Sequence, residues 1–263
     1  MKTGLQIMQT TKADRFNELV GLEIESKLKI IGPHSINEVA EIIFGMLQNS
    51  VGQYGIAPSM PLIRASKTLA RHYGYQSRKG KIKKVFTITE RELDGLLQIK
   101  RKGRKTFYHK NIMSTTEQVE PLSWTQWTAE AESAVIQQEV QFLGSKINPE
   151  HIFLVAGTME RNKLKIRVIN KENNRVYTIG VDETTAPNGK AMRQIEIEYI
   201  GLESCENVFS FRQEIHATPL DLLELEIATE IKVIEQMVIG AGDQAGIRLK
   251  PTRQTKFKWL RGM

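Results

Sequence analysis

The sequence predicts an α+β protein built on an antiparallel, roughly eight-stranded barrel or tunnel, with a charged lumen and surrounding helices. Three observations carry that expectation. Apolar and charged residues alternate in several separate segments, among them Leu22–Ile30, Lys163–Ile169 and Arg193–Ile200. Successive side chains of a strand point to opposite faces, so each such segment has one apolar and one charged side. Polar turns of hairpin type join neighbouring segments, as Asn170-Lys171-Glu172-Asn173-Asn174 does. Helix-periodic stretches fall between and after the strands, ready to cover the apolar wall.

Taken in order, Thr11 to Val20 predicts a short helix. Leu22 to Ile30 follows as a strand, with Glu23, Glu25, Lys27 and Lys29 on one face. Ser35-Ile36-Asn37-Glu38 is a capping box opening a helix over about Ile36 to Gln48. Pro58 and Pro61 mark a loop, and Pro61 to His72 is expected to be a further helix. Leu96 to Lys102 and Lys105 to Lys110 form a cation-rich hairpin across Gly103-Arg104. Thr125 to Phe142 predicts a helix outside the strands, and His151 to Ala156 an apolar strand. Lys163 to Ile169 pairs with Arg175 to Asp182, placing Lys163, Lys165 and Arg167 on one face. Arg193 to Ile200 sets Glu196 and Glu198 opposite Ile195, Ile197 and Tyr199. The last long helix runs from Pro219 to Val238, with Leu220, Leu223, Ile227, Ile231, Ile234 and Val238 at helical spacing, and ends at Gly240-Ala241-Gly242.

Carboxylates spaced two apart on two strands can converge on a divalent cation, because Mg²⁺ and Mn²⁺ favour oxygen ligands. Glu23, Glu25, Glu196 and Glu198 are the candidate metal ligands. The alternative is ordinary half-exposed strands with solvated charges. Mixed acids and bases inside a barrel would be costly to desolvate without a ligand or mutual pairing, which points to function.

At these residues the chain resembles a family. Glu23-Ile24-Glu25-Ser26-Lys27 is similar to the Glu-x-Glu-x-Lys signature of the triphosphate tunnel metalloenzymes, the CYTH superfamily. The later run resembles that family's closing hairpin, with Lys165-Ile166-Arg167, then Tyr177 to Asp182, then Glu196-Ile197-Glu198. The resemblance covers 20–31 and 160–263 well and 82–112 loosely. No Tyr-Phe-Asp-Thr strand and no middle Arg-x-Glu-x-Glu strand is found, and Gln98 stands where a first arginine would be. The resemblance implies a metal-dependent phosphohydrolase acting on inorganic triphosphate, a nucleoside triphosphate or an RNA 5′-triphosphate end. It implies phosphate clamps at Lys27, Lys100, Lys110, Lys165 and Arg167. It gives Lys27 and Asp182 catalytic places, Asp182 as added ligand or water-orienting base. Cyclisation of ATP, a non-catalytic nucleic-acid or polyphosphate-binding module, and a structural adaptor are the competing functions.

Composition fits one folded domain over 1–263, with a basic middle segment of about 55–150 carrying an inserted helix. Of the chain, 40% is hydrophobic and 25% charged, ordinary for a globular protein. No apolar stretch approaches the roughly 20 residues needed to cross a bilayer, and Met1 to Asp14 lacks an apolar leader core. The single cysteine, Cys205, rules out an intrachain disulfide and suits a reducing, cytoplasmic setting. The five histidines show no zinc-ligand spacing. A net charge of +7 implies an anionic partner. Many of the bases fall in 64–110, mixed with His72, Tyr73, Tyr75, Phe107 and Tyr108, a pattern that can bind a nucleic-acid backbone.

Overall fold

The structure is a computed structural model that describes residues 24–90, 95–101, 116–119, 123–142, 147–203, 208–209 and 220–262. The expected Thr11–Val20 helix and the Lys105–Lys110 strand lie outside those residues, as do Glu23 and Lys110.

The protein is α+β, and its centre is an antiparallel sheet. The strands are β1 (Glu25–Ile31), β2 (Tyr54–Ile56), β3 (Arg64–Gln76), β4 (Ile82–Glu90), β5 (Leu97–Arg101), β6 (Thr116–Val119), β7 (Ile152–Asn170), β8 (Arg175–Thr185), β9 (Ala191–Glu203), β10 (Val208–Phe209) and β11 (Arg248–Pro251). Nine of them follow the order β11-β1-β9-β8-β7-β3-β4-β5-β6, while β10 adds to β9 and β2 to β7. The barrel expectation is corrected here: among the described residues no pairing joins β6 to β11, and the sheet is not closed into a barrel. Both ends of the path are four-residue strands. Pro251 has no N–H to offer a further neighbour, which blunts one edge.

Among the described residues, four α-helices accompany the sheet: α1 (Ile36–Gln48), α2 (Ala129–Phe142), α3 (Leu220–Gln244) and α4 (Lys256–Leu260). Helix α1 starts at the expected cap, where the Ser35 side chain accepts from the Glu38 N–H at 3.1 Å, but the Glu38 carboxylate turns to His34 at 3.1 Å, so half of the capping box forms. The apolar face of β1, β7, β8 and β9 packs against α1 and α3. Leu28, Ile166, Ile179, Val181, Ile195 and Ile197 meet Ile43, Ile227 and Ile231, all buried. Each such side chain contributes about 1.5–3 kcal/mol by leaving water. A smaller cluster joins α2, through Val135 and Val140, to Tyr73, Phe86, Ile88 and Ile99.

Three sequence expectations change. Pro61 to His72 is not a helix, because Arg64 to Gln76 runs as β3 between β7 and β4. Pairing on both sides overrides a composition that has no strong preference for strand. Strand β5 pairs with β4 on one side and with β6 on the other, where Lys100 stands opposite Glu117, so both its edges are taken by strands other than the expected Lys105–Lys110. Helix α3 continues through Gly240 and Gly242 to Gln244. A Cβ on Gly242 would stand 2.8 Å from the Leu249 side chain and 2.9 Å from the Ile247 carbonyl, so this glycine permits close passage of β11. The turn comes at Gly246, with φ of +74°, where the Ile247 N–H returns to the Gly242 carbonyl.

The β7–β8 hairpin forms as its sequence predicts. Asn174 takes φ of +60° in the turn, and the Asn174 N–H bonds the Asn170 carbonyl at 2.8 Å. Helix α3 clamps this hairpin through Glu230, which accepts from Asn170, Asn173, Arg175 and Tyr177.

Candidate functional site

The strand alternation gives the sheet a polar face opposite α1 and α3. On β7, Arg161, Lys163, Lys165 and Arg167 share it. Register then fixes their neighbours. Asp182 lies opposite Lys163, Gly180 opposite Lys165 and Thr178 opposite Arg167. Across β8, Glu196 faces Gly180 and Glu198 faces Thr178. Across β9, Lys27 faces Glu196 and Glu25 faces Glu198. On the other side of β7, Arg64 faces Lys165 and Ser66 faces Lys163. Five strands thus bring acids and bases from distant segments onto one surface.

A dense ion-pair network occupies its centre. Lys27 Nζ lies 2.8 Å from both Glu25 Oε2 and Glu196 Oε1. Lys163 Nζ reaches Glu196 Oε2 at 3.2 Å. Arg161 Nη2 is 2.6 Å from Asp182 Oδ2 and 3.6 Å from Glu196 Oε2. Lys256, from α4, bridges Asp182 Oδ2 at 3.1 Å and Glu196 Oε1 at 2.8 Å. The second oxygen of Asp182 accepts from Thr184 at 2.8 Å.

Glu25, Lys27, Asp182, Glu196 and Lys256 are all buried. Burial alone would raise the Asp182 carboxyl, but Arg161 and Lys256 outweigh it and hold the group at about 2. Burial also acts on Glu196, where Lys256, Lys27, Lys163 and Arg161 prevail and keep it well below the usual range. Burial pushes Lys163 down, while Glu196 and further carboxylates pull it above its ordinary value. Lys256 ends lower than usual, through burial and the nearby Arg161.

Next to this network lies a pocket of about 320 Å³ lined by Met60, Arg64, Lys163, Lys165, Arg167, Thr178, Glu198 and Ile200. Lys163 belongs to both. Its course depends on Gly180: a Cβ there would sit 2.1 Å from Lys163 Cε and 2.9 Å from its Nζ. The missing side chain lets Lys163 lie across β8 to reach Glu196. Four cations and one carboxylate line the pocket, a formal +3. The network adds Lys27, Arg161 and Lys256 against Glu25, Asp182 and Glu196, which balance.

The sequence-predicted residues fall into groups. Glu25, Lys27, Asp182 and Glu196 meet in the network. Lys165, Arg167 and Glu198 line the pocket. Lys100, on β5, pairs in register with Thr87 of β4, whose partner on β3 is His72, so two strands lie between it and β7 along the sheet. Glu23 and Lys110 lie outside the described residues.

Arg161, Lys256 and Arg64 were not singled out as site residues from sequence. Arg161 continues the alternation of Lys163, Lys165 and Arg167 by one step, so its signal was present. Lys256 closes the basic run Leu249–Lys256, which resembles the family's short basic segment after its helices, but no local pattern shows that the helix after β11 brings it to Asp182 and Glu196. Helix α4 packs on the polar face, burying Phe257 and Leu260 with Ala70, Val155 and Met159.

Among the described residues, no three Asp, Glu, His or Cys side chains form a ready metal cage. Glu196, Asp182 and Glu25 are all engaged by cations, Glu25 by Lys27. Glu25 and Glu198 are direct register partners, and a carboxylate pair suits Mg²⁺, which is commonly held by one or two carboxylates and completed by substrate phosphates.

No protein family model matches the chain, and no curated protein matches it. Among solved structures it is similar to the S. pombe Pct1 RNA triphosphatase, at 12% identity and a TM-score of 0.37, over 86% of each chain. The same enzyme in complex with the Spt5 CTD gives 12% identity and a TM-score of 0.35, over 86% of this chain and 87% of that one. Likeness at this level carries no functional weight. No helix of the described residues is long and apolar enough to cross a membrane.

Proposed function

We propose that the polar face is a triphosphate site and that the chain is a metal-dependent triphosphatase. The observation that supports this best is the pocket of Arg64, Lys163, Lys165 and Arg167 continuous with the buried ion-pair network. A triphosphate carries several negative charges within a short length. Four convergent cations neutralise it, and guanidinium groups orient its oxygens through paired N–H donors. Glu25 and Glu198 are the residues that would hold Mg²⁺ or Mn²⁺ together with those oxygens, with Glu23 and Glu196 as further members of the set. The bound cation would supply charge neutralisation at the phosphoryl group being transferred.

The chain's own residues then have distinct tasks. Arg64, Lys165 and Arg167 bind phosphate. Lys163 links the bound anion to Glu196. Asp182 and Glu196 hold Arg161, Lys27 and Lys256 in place. A carboxyl held at about 2 is a weak base, so Asp182 orients cations rather than taking a proton from water.

Phosphate release from tripolyphosphate, ATP and 5′-triphosphate RNA, with Mg²⁺ or Mn²⁺, is the test. Release from at least one, lost in Glu198→Gln, supports the hydrolase. Tripolyphosphate binding without release under any metal would leave a binding module on the same surface. That second reading draws on the full engagement of Asp182 and Glu196 by cations. Failure to bind tripolyphosphate at all would overturn both.

A further inference from the structure

A second basic surface lies at the other end of the sheet. The turn joining β3 to β4 is Ser77-Arg78-Lys79-Gly80-Lys81, closed by the Ser77 N–H to the Lys81 carbonyl at 2.9 Å, with Gly80 at φ of +72°. Arg78, Lys79 and Lys81 are exposed at the tip. Lys83, also exposed, pairs in register with Tyr75 and so lies on the hairpin face away from Ile82 and α4. Helix α4 lies against this hairpin. Arg261 Nη1 donates to the Ile82 carbonyl at 3.1 Å, and Ile82 and Trp259 pack on the same apolar cluster. Lys258 and Arg261 are exposed beside it. Neither Ser77–Val85 nor Thr252–Gly262 contains an acid.

The tertiary fold therefore joins two cationic segments that are about 170 residues apart in sequence. Gathering like charges at a surface is unfavourable unless an anion shares it. The hairpin tip is separate from the triphosphate pocket, while α4 touches both, reaching the ion-pair network through Lys256. Arg64, which lines that pocket, begins β3, and the hairpin tip lies beyond its end at Gln76. At about 3.3 Å per residue the strand spans roughly 40 Å.

We propose that the β3–β4 hairpin tip and α4 together form a sequence-independent binding surface for single-stranded nucleic acid. The charge spacing suits a phosphate backbone, which needs separated cations rather than one enclosed cradle. Ile82 and Trp259 are turned into the cluster beneath, and Phe257 is buried in it. Phe153 of β7, opposite Gly74, is exposed beside this surface, a single ring that can stack a base but is too little apolar surface to enter a bilayer.

The test is fluorescence anisotropy of the full chain with a 20-nucleotide RNA bearing a 5′-hydroxyl, which has no triphosphate for the pocket. Binding should weaken with salt, with a log–log slope of about −3 for four phosphate contacts. The variant Arg78→Gln/Lys79→Gln/Lys81→Gln should bind at least about tenfold more weakly at about 50 mM salt, with a shallower slope. Its Tm reports whether it folds. If it melts early, Lys258→Gln/Arg261→Gln decides, with a loss of about threefold or more expected. No binding by the parent protein overturns the proposal, as does unchanged affinity in a folded variant. Tighter binding to polyglutamate or to phosphatidylserine vesicles than to the RNA also overturns it. None of these outcomes depends on whether the pocket hydrolyses triphosphate.

Discussion

Gly180 makes the sharpest single-residue case, because an absent side chain sets the position of a charged one. Gly180→Ala puts a methyl group where Lys163 Cε now lies. The lysine is flexible and can move, so the fold should survive with little change in Tm. Its contact with Glu196 should be lost, and tripolyphosphate affinity should fall about tenfold, as for one charge-assisted contact. Unchanged affinity, measured by calorimetry, would remove Lys163 from the site. Lys165→Ala and Arg167→Ala should each weaken binding by a similar factor at near-constant Tm, since neither belongs to the apolar core. Asp182 makes a pH prediction. Its folded carboxyl sits at about 2, below the ordinary 3.8. The group therefore stabilises the protein fully above about pH 4, and that contribution is lost as pH falls through about 2. A shift of this size corresponds to about 2 kcal/mol, and Glu196 acts with the same sign. Urea unfolding should show a falling acid limb between about pH 4 and 2. A limb of equal depth in Asp182→Asn would show that other groups cause it.

At the scale of elements, α3 is fixed to the sheet by two means. Its apolar stripe, with Leu223, Ile227, Ile231, Ile234 and Val238, enters the main core. Glu230 then locks it to the β7–β8 hairpin. Arg175 Nη1 lies 2.6 Å from Glu230 Oε1, and Tyr177 donates to Oε2 at 2.8 Å. The arginine side chain is 8% exposed, so removing Glu230 takes away one of the carboxylates that neutralise a buried cation. Glu230→Ala should cost about 3 kcal/mol in denaturant unfolding. A loss below about 1 kcal/mol would mean that the clamp is an ordinary surface ion pair. Burial and then Glu230 also push the neighbouring Tyr54 hydroxyl up to about 12.

For the whole molecule, stability should be uneven. Strands β8 and β9 lie inside the sheet and are backed by α1 and α3, whereas β6 is a four-residue edge. Native-state hydrogen exchange should be slowest at Ile179, Val181, Ile195 and Ile197. It should be markedly faster in β5, whose Leu97 and Ile99 belong to the smaller cluster under α2, and in β6 paired beside it. Uniform protection across the sheet would show one cooperative unit instead.

The sequence by itself determined the alternating strands, their two faces, the β7–β8 hairpin and the start of α1. Periodicity and capping are local properties, so short stretches of chain carry them. It also marked Glu25, Lys27, Asp182, Glu196 and Glu198 as chemically notable, because their spacing placed them away from the apolar wall. Only the tertiary structure decided that Arg64 to Gln76 is a strand, since β7 and β4 pair with it from both sides. Only the tertiary structure extended α3 past Gly242, where β11 needs the space of a missing Cβ. It alone showed that the described sheet stays open, and that α4 delivers Lys256 to Asp182 and Glu196. These outcomes depend on groups far apart in the chain. The free energy of such contacts depends on burial and on the company of other charges, which no short window of sequence contains.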